Sequence, residues 1–126
     1  MKASVLTACV ALIGLGSEAP AQTPDCTGSE RWPTSMAFTH LKNAGLTDND
    51  QLDFTKTKTE RIASEPIGRA PAPLRSLFRQ VHHVTFVEKS GRSIEVITVN
   101  TASRVECSES SVQVFLVSRQ IGDSGK

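Results

Sequence analysis

From residue 80 onward, apolar and polar positions follow a two-residue rhythm. Val81, Val84, Thr85, Phe86 and Val87 are branched or aromatic and lead to Ser90-Gly91, so residues from about 80 to 89 predict a strand ending in a tight turn. The next run, SIEVITVN, places Ile94, Val96 and Thr98 on one face and Ile97 and Val99 on the other. After the turn TASRVECSESS, the run VQVFLVSRQI repeats the arrangement, with Val112, Val114 and Leu116 on one face and Phe115 and Val117 on the other. Apolar residues on both faces mark strands that are covered on both sides.

Upstream the period changes. Ala37, Leu41 and Ala44 share a helical face, Trp32-Pro33-Thr34-Ser35 offers an N-cap, and Gly45 sits where a C-cap belongs, so residues 35 to 44 predict a short amphipathic helix. Thr47-Asp48-Asn49-Asp50 reads as a turn, and QLDFTKTKTERIAS, with Leu52 and Phe54 alternating with polar neighbours, reads as a half-exposed strand at or near an edge. The segment EPIGRAPAPLR carries Pro66, Pro71 and Pro73 and predicts an extended loop, with Pro73 able to open a helical turn through Leu74, Leu77 and Phe78. The expected fold is α+β, a short N-terminal helix packed on a four-stranded antiparallel meander. A single helix covers one face. The other is left to the 63–78 segment, to a second subunit or to a partner, and the candidate partner surface is Pro66, Ile67, Pro71, Pro73 and Leu74.

Met1-Lys2, the apolar run Ala3 to Leu15 and Ala19-Pro20-Ala21 have the form of a secretory signal removed near Ala21. The apolar run is shorter than the roughly 20 residues of a membrane span. Leu6-Thr7-Ala8-Cys9 has the residue types of a lipidation site, but too little chain precedes Cys9 to hold its apolar region. The organisation expected is residues 1–21 signal, 22–33 flexible arm, 34–121 one domain and 122–126 frayed tail. Removing Cys9 leaves Cys26 and Cys107, an even pair in an exported chain, which predicts a disulfide. Closing about 80 residues removes unfolded-chain entropy worth about 4.5 kcal/mol in the chain-entropy account.

Net charge is +1, and trimming Lys2 and Glu18 leaves it unchanged. With no Tyr, one Trp and five Phe, the chain has neither a strong basic field nor the aromatic faces of a stacking platform, which argues against a nucleic-acid partner. Asp48, Asp50 and Asp53 do not form a calcium loop, because Leu52 stands at a ligand position and the glycine and glutamate of that motif are missing from their places. Two isolated cysteines lack zinc-site spacing, no metal or other cofactor is expected, and no nucleophile elbow, phosphate loop or dinucleotide fingerprint occurs.

His82 and His83 are consecutive on a strand and must point to opposite faces, so at most one serves any site. The catalytic alternative is a small ribonuclease in which His82 or His83, Glu95 and Arg79 or Arg92 exchange protons and stabilise phosphate charge; His40 lies on the helix, apart from them. The leading expectation is a secreted or periplasmic module that binds an unidentified protein as an inhibitor, immunity-like or envelope accessory factor, with a homodimer left open. The others are the histidine-dependent hydrolase and an envelope protein that self-associates through an edge strand. One helix on a four-stranded meander resembles cystatin-like inhibitors in architecture, a likeness that transfers no residue roles.

Overall fold

Val84 pairs with Val96 on one side and Thr59 on the other, and from this centre the ladder runs in register through four antiparallel strands in the order β1-β2-β3-β4. The strands are β1 (Lys58–Pro71), β2 (Leu74–Val87), β3 (Ser93–Ser103) and β4 (Gln113–Leu116), preceded by α1 (Trp32–Asn43). The structure, a computed structural model, describes residues 23–71 and 74–117. The expected signal segment, Pro73 and the expected tail lie outside the described residues.

The fold class expected from the pattern is the one observed, with the helix as the first element after residues 23–31. Helix α1 begins three residues earlier than its pattern suggests. Its N-cap is Arg31, with no side-chain capping bond, and Pro33 enters the first turn, where a fixed φ and a missing N–H cost nothing. Thr34 does not cap; its hydroxyl is 2.6 Å from that of Thr59 on β1. The helix ends as expected at Gly45, φ +72°, with Leu46 N–H donating to Leu41 C=O and Gly45 N–H to Lys42 C=O, a Schellman motif.

One face of α1 supplies Ala37 and Leu41 to a core completed by Leu52, Val84, Phe86, Ile94 and Val96, with Phe38 packed edge-on to Phe54 at 5.1 Å. All the strand residues of this core have even numbers, so the pleat places them on one sheet face. Beyond the helix the same face is closed by the segment Thr23 to Thr27, held by the Cys26–Cys107 disulfide, whose Cα atoms are 5.8 Å apart. The β2–β3 connection is a three-residue turn in which Gly91 N–H donates to Glu88 C=O and Gly91 takes φ +94°.

Two expectations fail. Leu52 and Phe54 are not in the first strand: Asp53 Oδ1 accepts the Thr55 N–H and hydroxyl at 3.1 and 2.6 Å, turning Phe54–Lys56 into a single 3₁₀ turn, and Leu52 keeps only an isolated bridge to Glu88. Residues 65–71 and 74–75 form neither a loop nor a helical turn. They are the distal half of a long β1–β2 hairpin, with Pro66 paired to Phe78 and Pro71 to Leu74. Prolines are tolerated because β1 is an edge strand, and the register shift between Pro66 and Gly68, with Gly68 at φ +134°, absorbs one as a bulge. Strand β4 begins at Gln113, with Val112 buried just ahead of it, and residues 118–121 of the expected strand lie outside the described residues.

Candidate functional site: the open sheet face and its histidine

The proline segment extends the sheet instead of folding over it, and among the described residues no element packs on the odd-numbered face. Two rows cross that face. One runs Glu60, His83, Ile97, Phe115; the other runs Ala63, Val81, Val99, Gln113. Val117 continues the apolar surface, its N–H donating to Glu95 C=O. Phe115 is 54% exposed and Val117 47%. On the β1 edge Ile62, 58% exposed, stands at the register shift between Arg61 and Ala63. The face is therefore apolar across its centre and charged at its margins.

His82 and His83 separate as strand geometry requires. His82 has no exposed surface and neither ring nitrogen has a hydrogen-bond partner among the described residues. Burial, reinforced by the charge of Arg61 and opposed by that of Asp25, pushes it down to about 4. It is a neutral core side chain and cannot meet a substrate.

His83 is half-buried on the open face, its Nε2 3.3 Å from Glu95 Oε1. Glu60, its register partner, accepts from Lys58 at 2.8 Å, and that ammonium holds the Glu60 carboxyl below its ordinary value, with a smaller contribution from His83. Of the catalytic set, the structure brings together only His83 and Glu95. Arg79 is four residues along β2 from His83, roughly 13 Å at strand rise, and is paired with Glu65 at 3.2 Å. Arg92 lies in the β2–β3 turn region, bonded to Glu88 at 2.6 Å and to Leu46 C=O at 3.2 Å. His40 is on α1, over the opposite face. His83 lines neither the groove beside α1 and β4 nor the one near Arg92 and Glu95.

Of the expected partner surface, Pro66 and Ile67 are exposed on β1, Ile67 by 40%. Pro71 and Leu74 are register partners at the distal end of the hairpin, and Pro73 lies outside the described residues. The hairpin is tied down near this end by Arg75, whose Nε and Nη2 donate to the two carboxylate oxygens of Glu109 at 2.5 and 2.8 Å. Arg75 in turn holds the Glu109 carboxyl below its ordinary value.

Sequence reasoning missed a groove of about 520 Å³ on the helix side, between the C-terminal end of α1 and β4, lined by Leu41, Leu46, Val96, Val114 and Leu116. Leu46, just past the helix cap and outside the helical stripe, was its one available signal. The acidic turn is a local motif: Asp48 Oδ1 accepts the N–H groups of Asp50 and Gln51, both at 2.9 Å. Among the described residues no group of three or more His, Cys, Asp or Glu side chains is placed to hold a metal, and no helix is long and apolar enough to cross a membrane. Compared with family models, curated proteins and solved structures, the chain matches none.

Proposed function

We propose that this chain is an exported binding module that works by protein–protein contact through the open face of its sheet. The observation that carries the reading is the apolar centre of that face, Val81, Ile97, Val99, Phe115 and Val117, with no described element over it. A disulfide in a small fold supports export to an oxidising compartment. Aromatic and branched side chains flanked by charges have the composition of a contact patch whose rim fixes register, here with Glu60, Lys58, Glu65 and Arg79 as the rim. The exposed hairpin residues Pro66 and Ile67 extend the contact along the β1 edge.

The reading is tested by dye binding to the native protein. Anilinonaphthalene sulfonate should bind at neutral pH with the fold intact, and Phe115→Arg should lower its fluorescence severalfold. An unliganded monomer that binds no dye would count against a hydrophobic docking face.

A second reading rests on the His83–Glu95 pair: a general-base histidine oriented by a carboxylate on an open surface, as in a small ribonuclease. Its requirement is RNA cleavage that His83→Ala abolishes. Wild-type cleavage by that variant disposes of it.

A further inference from the structure

On the even-numbered face of the sheet the apolar region under α1 is followed by a polar block, Gln80, His82, Thr98 and Asn100, buried in adjacent register positions, and then by the buried apolar pair Phe78 and Ala102. Gln80 pairs with Asn100 and His82 with Thr98, so the four side chains occupy a block about 5 Å across and 7 Å along the strands. Gln80 Oε1, both nitrogens of His82, Thr98 Oγ1 and Asn100 Oδ1 have no hydrogen-bond partner among the described residues. Polar groups buried without partners favour any rearrangement that gives them water.

The strap 23–27 lies against this block at Gln80, and its attachment is lopsided. Among the described residues it is tied to the sheet by two hydrogen bonds, both to Pro24 C=O, from Gln80 Nε2 at 2.8 Å and Arg61 Nη1 at 3.1 Å, and by the disulfide at Cys26. The loop that carries Cys107 is secured many times over. Asn100 Nδ2 donates to Cys107 C=O, Thr101 N–H to Ser110 Oγ, Ser103 N–H to Glu106 C=O and Trp32 Nε1 to Ser110 C=O, and Arg75 holds Glu109. Cutting the sulfur–sulfur bond frees the weakly tied side.

We propose that Cys26–Cys107 is a redox latch: its reduction by a dithiol lifts the 23–27 strap from the sheet and opens the polar block of Gln80, His82, Thr98 and Asn100 while α1 and the sheet stay folded. Cys107 is the half-exposed sulfur and Cys26 the buried one, so the dithiol's thiolate attacks Cys107 Sγ and Cys26 leaves as a thiolate that takes up a proton. The reductant's second thiol then resolves the mixed disulfide. Two electrons pass to the protein, Cys107 departs as a thiol, and the dithiol is left as its own disulfide. The apolar core under α1 contains no residue of the strap, so it survives the opening.

The test is carbethoxylation of histidines, located by peptide mass spectrometry, on the oxidised chain and on the chain reduced with dithiothreitol and desalted anaerobically. His40 and His83, both with exposed surface, are the internal references. The oxidised protein should show His82 protected; reduction should raise its rate at least tenfold, with the far-ultraviolet circular dichroism and the emission maximum of Trp32 unchanged, because the Trp32–Ser110 bond stays with the loop. Cys26→Ala should reproduce the open state without reductant and respond no further to it. His82 remaining protected after reduction overturns the proposal. So does reduction, in the natural chain, that exposes His82 only together with loss of dichroism and a red shift of Trp32, since that is unfolding and not a latch.

Discussion

His82 and His83 are bonded neighbours on β2, yet His82 has no exposed surface whereas His83 Nε2 lies 3.3 Å from Glu95 Oε1 on the open face. The alternation of a strand puts one imidazole in the core and the other on a surface, and the two carry different consequences.

For His82 the consequence is acid sensitivity. Its folded value is depressed to about 4 by burial, against 6.5 for the free side chain, so the unfolded chain binds a proton that the native state refuses. Stability attributable to this group is complete above pH 6.5 and falls as the pH drops from there toward 4. Between about pH 8 and pH 5 the loss is about 2 kcal/mol. Urea denaturation across that range should show the slope in the natural protein and its near absence in His82→Gln.

The core beneath α1 and the open face should respond differently to truncation. Leu41 is 3% exposed and packs in the core cluster, so Leu41→Ala should cost about 3 kcal/mol in urea unfolding. Phe115→Ala should change stability by no more than about 0.5 kcal/mol, the range of surface substitutions. A large aromatic residue that the fold does not need is then available for contact.

Arg75 and Glu109 hold the hairpin to the Cys107 loop through a bidentate pair whose carboxylate is nearly buried. Arg75→Gln leaves that carboxylate short of a charged partner and should cost about 2 kcal/mol. Hydrogen exchange should quicken at residues 69, 70 and 74–76, whose strands pair there only with each other, and stay unchanged at the centre of β2.

Gly45 has φ +72° with open space around its Cα, so a side chain there meets backbone strain and no clash. Gly45→Ala should lower stability by about 1 kcal/mol, read as a fall in the thermal midpoint with native dichroism retained.

The strands after residue 80 were legible because their side chains alternate over long runs and the turn at Ser90-Gly91 is chemically marked. The disulfide was legible from the cysteine count, and the helix from Ala37, Leu41 and Gly45. The proline segment was misread for a physical reason: Pro66 and Pro71 forbid an interior strand, but an edge strand with a bulge at Gly68 accepts them, and edge position is a property of the sheet and not of the segment. Leu52 and Phe54 mimicked a strand because Asp53 interrupts them only through its side-chain hydrogen bonds to Thr55. Of the site, the opposite facing of the two histidines followed from strand geometry. That His82 is the buried one depends on which face α1 and the disulfide-bound strap select.

If the open face binds a protein, that partner should be recoverable with the chain. The most direct test is affinity capture of the tagged full chain and of its Phe115→Arg variant from the native envelope or medium, with mass spectrometry of what co-purifies. One stoichiometric partner should accompany the natural chain and be lost from the variant. Recovery of the natural chain alone, or a partner held equally by Phe115→Arg, would contradict it.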